Sequence, residues 1–202
     1  SGESIPEQTR GSVALTFDDG PDPVYTPKLL DLLAAHGVKA TFFLLGSKAE
    51  QHPELVKRIH DEGHLIGIHN YTHHTNWLMS PWTVRRKQVD RTADIIENIT
   101  GVRPVHYRPP WGVLNLLDFF LRNKYRIVLW SVMARDWKSS TGVRWLKQHV
   151  LAKARDGAVV LLHDSGETLG ADRDAPEQTL AALEELIPAM KERGFGFVRV
   201  DE

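Results

Sequence analysis

Short apolar runs rich in β-branched and aromatic residues recur about seven times along this chain, separated by amphipathic stretches of helical length. No other feature constrains the fold as tightly. Parallel strands need a long crossover between them, and a helix supplies one. The expected strands are Ser12–Phe17, Val38–Leu45, Leu65–Ile68, Val105–Tyr107, Ile127–Val132, Ala158–Leu162 and Phe195–Val200. Helices are expected near 26–36, 47–62, 81–99, 114–124, 142–156 and 176–193. The runs VALTF and AVVLL are apolar on both faces, as strands covered on both sides should be. Ser80-Pro81 pairs an N-cap residue with proline at the first helical position. The expected fold class is therefore α/β: a parallel sheet with outer helices, closed into a barrel of about seven strands or left open and doubly wound. Residues 1–10 (SGESIPEQTR) carry no apolar pattern and read as a lead-in to a single domain over 11–202.

Composition removes several function classes. Lys and Arg number 25 against 26 Asp and Glu, a formal charge of −1 with no basic block. That argues against a nucleic-acid binder relying on phosphate contacts. The chain has no Cys, which excludes a disulfide scaffold, a thiolate zinc site and a thiol nucleophile. No apolar run approaches the roughly 18 residues of a membrane span. The first residues are Ser1-Gly2 rather than Met, so the start says nothing about a signal peptide. Ten His remain, and any metal site must be built from nitrogen and oxygen.

In α/β folds the C-terminal ends of parallel strands carry the chemistry. Here the first strand ends in Asp18-Asp19-Gly20-Pro21 and the third runs into His69-Asn70-Tyr71-Thr72-His73. Arg108-Pro109-Pro110-Trp111-Gly112, Arg135-Asp136-Trp137 and His163-Asp164 follow the next three. His69 and His73, four residues apart, fall on one face of a helical turn and with a carboxylate would suit a borderline divalent metal. Asp18 and Asp19 point apart on an extended chain, so one can bind metal while the other acts as a base. Asp-Gly-Pro is equally plain turn vocabulary. Arg108 suits pairing with a carboxylate, and Asp136 could fix the tautomer of His163 and raise its pKa for acid catalysis. A buried, satisfied His–Asp pair is the competing account. Trp77, Trp111 and Trp137 flank these motifs, either as sugar platforms or as packing. Ser165 lies near His163, but no GxSxG elbow is present. Asn98-Ile99-Thr100 and Asn70-Tyr71-Thr72 match the glycosylation sequon.

Taken in order, TFDDGP, HNYTH, RPPWG, RDW and LLHD resemble the five motifs of the NodB-homology polysaccharide deacetylases, carbohydrate esterase family 4. The resemblance implies a distorted (β/α) barrel that removes N-acetyl groups from chitin-type or peptidoglycan sugars with a metal, releasing acetate. It implies Asp18 as base, Asp19, His69 and His73 as metal ligands, and Arg108 orienting Asp18. His163 would be the acid, supported by Asp136. Substrate contacts would come from Trp111, through its backbone N–H, and from Trp137, Pro110 and Leu162, the last beside the acetyl methyl. The implied cofactor is a divalent metal, zinc before cobalt, nickel or manganese. The implied partner is an N-acetylated glycan, with no nucleic acid, membrane span or obligatory protein partner, and the implied location is extracellular or at the cell wall.

Two departures stand out. Asn70 replaces the family's usual Ser or Thr, and Met133 stands where another Asp is common, which leaves the support of Arg108 and His163 to be explained. Three other readings compete. The same barrel chemistry could act on a formylated sugar or a cyclic amide. The fold could bind glycans without turnover. Two His and a carboxylate also describe a non-haem iron oxygenase, though those ligands usually sit on a β-sandwich.

Overall fold

A computed structural model describes residues 11–73, 79–112 and 121–202. Trp77 and most of the helix expected at 114–124 lie outside the described residues.

Among the described residues eight strands form one sheet: β1 (Gly11–Asp18), β2 (Thr41–Leu44), β3 (Leu65–Ile68), β4 (His106–Tyr107), β5 (Arg126–Ile127), β6 (Val132–Met133), β7 (Val159–His163) and β8 (Phe195–Phe197). Their order is β5-β4-β3-β2-β1-β7-β6, and β8 pairs with the first residues of β1. Every strand pairing is parallel, as the helical crossovers require.

The single strand expected at Ile127–Val132 is two short ones, which raises the count from seven to eight. Ile127 pairs with Tyr107 of β4, whereas Val132 pairs with Val160 of β7 at the opposite end of the strand order. Five residues of chain reach at most about 18 Å. The sheet must therefore curl until its two ends nearly meet. The result is a distorted barrel whose ends are joined by covalent chain.

Helices cover the sheet. α1 (Tyr25–His36) buries Leu29, Leu30 and Leu33 and ends at Gly37 with φ 65°, a left-handed C-cap that glycine adopts without strain. The helix expected over 47–62 breaks into α2 (Gly46–Gln51) and α3 (Pro53–Asp61). Pro53 is the cause, because its ring disfavours a helical conformation for the residue before it, and His52 sits at φ −131°, ψ 58°. The segment expected at 81–99 starts as α4 (Pro81–Thr83), capped by the Ser80 hydroxyl, which accepts the Thr83 N–H at 3.2 Å. It continues through a π-helical stretch, Val84–Asp90, into α5 (Arg91–Thr100). α6 (Val143–Lys153) and α7 (Ala175–Glu192) complete the layer, and Leu183, Leu186, Ile187 and Met190 of α7 join the core with Leu15, Phe17, Phe42 and Val160 of the sheet. Each such side chain contributes about 1.5–3 kcal/mol on burial. That rigid frame carries the loops at the strand ends.

Candidate active site

β1 ends at Asp18, and Asp19 follows it, both buried. Beside it lie β2 and β7, with Asp18 in register with Phe43 and with His163. The rim of the barrel thus brings residues from remote parts of the sequence together. Four non-glycine residues have left-handed backbone among the described residues: Asp19 (φ 77°), Asn70 (69°), Trp111 (54°) and Arg135 (53°). One falls in each of the loops after β1, β3, β4 and β6. Such strain is held only where surroundings over-determine it, and it concentrates at functional sites.

Asp19 Oδ1 lies 3.3 Å from His69 Nε2 and 3.4 Å from His73 Nε2. The ligand atoms of these three residues lie within 4.8 Å of one another, and Oδ1 is buried with no hydrogen-bond partner among the described residues. An orphaned buried carboxylate oxygen facing two imidazole nitrogens is what a divalent cation would satisfy. His69 Nδ1 donates to the Arg108 carbonyl at 2.6 Å, which leaves Nε2 with a lone pair for metal. The His73 ring meets Trp111 edge-on, with centroids 4.3 Å apart. Burial alone would raise the pKa of Asp19, but His69, His163 and His73 outweigh it and hold the carboxyl well below the usual range. Burial lowers His73 to about 4, which keeps its ring neutral.

Asp18 takes a different partner. Arg108, fully buried, donates from one guanidinium nitrogen to Asp18 Oδ1 and Thr16 Oγ1, both at 2.8 Å. Its other nitrogens donate to the carbonyls of Val128 (3.1 Å) and Leu129 (3.0 Å), and its plane lies over Phe43. Among the described residues these bonds hold Arg108 without a carboxylate from position 133. Met133 instead lies in the cleft wall.

His163 Nδ1 is 2.8 Å from Asp136 Oδ1, and Asp136 Oδ2 accepts the backbone N–H of His163 at 2.7 Å and the Thr179 hydroxyl at 3.0 Å. Burial opposes protonation of His163, yet Asp136 and the Asp19 and Asp18 carboxylates raise its pKa to about 10.

Asp18, Asp19, His69, His73, Trp111, Trp137 and His163 line a single cleft of about 220 Å³, so most of the expected site residues come together. Two expected contacts are corrected. Leu162 is buried in the hydrophobic core, and its neighbour Leu161 lines the cleft. Successive residues of a strand face opposite sides, so the side chain sharing a face with His163 is the one two positions away. Pro110 is buried in a 3-10 turn, Pro110–Gly112, away from the cleft lining, where Trp111 takes its place. Sequence reasoning also missed Trp130, Thr168 and Leu169, which line the same cleft. The alternation within β7 could have revealed Leu161; no motif marks the other three. Asn70, fully buried, accepts the Tyr107 hydroxyl at 2.6 Å and tolerates its left-handed φ better than Ser or Thr would. The sequon at that residue is accordingly not presented at the surface.

The sequence pattern of the polysaccharide deacetylase family matches residues 6–118, more than half of the chain. The chain belongs to the polysaccharide deacetylase family. A peptidoglycan-N-acetylglucosamine deacetylase of Bacillus cereus is 41% identical over 192 residues, covering 94% of this chain and 66% of that protein. A chitooligosaccharide deacetylase of Sinorhizobium fredii is 38% identical over 199 residues, covering 95% and 92%. The crystal structure of the Bc1960 peptidoglycan N-acetylglucosamine deacetylase superposes with a TM-score of 0.85 at 38% identity, covering 96% of this chain and 88% of that one. The fold of this polysaccharide deacetylase, a curled parallel barrel with outer helices, is thus that of carbohydrate esterase family 4. Among the described residues no helix is long and apolar enough to cross a membrane.

Proposed function

We propose that this chain hydrolyses the N-acetyl groups of N-acetylglucosamine in peptidoglycan or chitin-type glycans, releasing acetate and leaving a free amine. The observation that carries this reading is the convergence of Asp19, His69 and His73 with two separate acid–base pairs, Asp18–Arg108 and His163–Asp136, in one cleft. The names of its relatives support the substrate class. A divalent cation, zinc by the chemistry of two imidazoles and a carboxylate, would be held by Asp19, His69 and His73 and would supply a Lewis acid and acidify a bound water.

The protein's own groups do the rest. Arg108 fixes Asp18 Oδ1, so that Asp18 can take a proton from the attacking water with its other oxygen. The water oxygen joins the amide carbon, and the backbone N–H of Trp111 stabilises the oxyanion that forms. His163, protonated because Asp136 holds it so, gives its proton to the amide nitrogen as the C–N bond breaks. Trp137 and Leu161 flank the acyl group and Trp111 the sugar. Such a substrate places the enzyme outside the cell or at the cell wall.

The test is acetate release from N-acetylglucosamine oligomers and peptidoglycan after metal is stripped and zinc restored. Activity should return with the metal, and Asp18→Asn should lower kcat by about 10²–10⁴-fold while zinc stays bound. Turnover of formylated sugars or cyclic amides without acetate release would move the substrate. Glycan binding without hydrolysis by the zinc-loaded protein would end the enzyme reading.

A further inference from the structure

We propose that Thr168 and Lys48 are positioning residues for the metal ligand Asp19, and that they fasten one wall of the cleft to the metal site. The proposal rests on the deacetylase reading above.

Asp19 divides its two carboxylate oxygens. Oδ1 faces His69 and His73, while Oδ2 accepts the Thr168 hydroxyl at 2.8 Å. With Oδ2 pinned, the carboxylate cannot rotate Oδ1 away from the imidazoles. The backbone of the same residue is held separately. Lys48 Nζ, from α2, donates to the Asp19 carbonyl at 2.8 Å and to Ser165 Oγ at 2.6 Å, and it lies 3.6 Å from the Glu167 carboxylate. Asp19 needs such support because its φ of 77° lies in a region that non-glycine residues avoid. Three segments remote in sequence therefore meet on one residue: the end of β1, helix α2 and the stretch after β7.

That stretch is also a wall of the cleft. Thr168, Leu169, Gly170 and Ala171 line it, and Leu169 is 88% exposed there. Thr168 therefore touches the ligand on one side and sets the position of a substrate-facing leucine on the other. Loss of its hydroxyl should loosen both.

Zinc titration calorimetry on the metal-free full chain tests this. Thr168→Val, nearly isosteric but without a donor, should raise the zinc Kd by about 10–100-fold, the usual effect of removing a hydrogen-bond partner from a metal ligand. Thr168→Ser should restore most of the affinity, and the metal-free Thr168→Val protein should stay folded with a cooperative melt, losing no more than the stability of one hydrogen bond. At saturating zinc, kcat should recover while KM stays raised. Lys48→Met reads the brace from the other side, with weaker zinc binding expected. Equal zinc affinity in wild type, Thr168→Val and Lys48→Met would overturn the proposal and leave the deacetylase reading standing. A wild-type protein that binds no divalent metal would sink that reading instead.

Discussion

His163 keeps its proton because Asp136, 2.8 Å from its Nδ1, together with the Asp19 and Asp18 carboxylates outweighs the cost of burial. The sign follows. A histidine whose pKa is raised from 6.5 to about 10 serves as an acid below that value and fails as pH rises through it. Asp136→Asn removes the largest favourable cause, so the alkaline limb of the pH–kcat/KM profile should move to lower pH, toward the unperturbed value. A limb that does not move would mean that another group sets it. The adjacent leucines of β7 offer a second contrast at this scale. Leu162→Ala should cost about 2–5 kcal/mol in denaturant unfolding and leave the kinetics of the folded protein near wild type. Leu161→Ala should reduce kcat/KM by roughly tenfold or more.

The loops after β1, β3 and β6 are each held by an element other than the one they follow. The metal loop between His69 and His73 depends on Gln88 of the π-helical stretch, whose Oε1 accepts the N–H groups of Tyr71 at 3.0 Å and Thr72 at 3.1 Å. A widened turn of helix is a recurrent device near functional sites. Tyr71 is further tied by its hydroxyl to Glu50 of α2, and its ring carries the Arg91 guanidinium at 3.7 Å. Gln88→Leu leaves two loop donors without their acceptor. It should lower the unfolding free energy by about 1–3 kcal/mol and weaken zinc binding, both measurable on one preparation. Unchanged zinc affinity in a destabilised protein would confine Gln88 to stability alone.

Over the whole molecule, the curl of the sheet turns five separate motifs into one cleft. Asp18 and His163 are register partners on β1 and β7, while Arg108 reaches Asp18 from the end of β4, two strands beyond β2. A cation bound to the folded barrel alone stabilises it by mass action, about 2.7 kcal/mol at a hundredfold excess over Kd. For a domain of this size that corresponds to a rise in Tm of about 5–11 °C. Zinc should produce such a rise in wild type and not in Asp19→Ala, followed by calorimetry. An equal rise in both would place the stabilising metal elsewhere.

The sequence by itself determined the layer architecture, because alternation of apolar strand and amphipathic helix leaves a parallel sheet few other solutions. It also pointed to the candidate site residues, since Asp18, Asp19, His69, His73, Arg108, Asp136 and His163 each stand at the C-terminal end of a strand or in the loop that follows it. Only the tertiary structure decided which of their neighbours serve them. The carbonyls of Val128 and Leu129 hold Arg108, Thr168 and Lys48 brace the proposed metal ligand Asp19, and Gln88 holds the loop between His69 and His73, all from distant segments. Strand-end motifs are legible because their residue types are fixed by the chemistry they perform. Supporting contacts are not, because a hydroxyl, an ammonium, an amide or a backbone carbonyl can each hold such a residue, and which one is in reach depends on how the chain folds back.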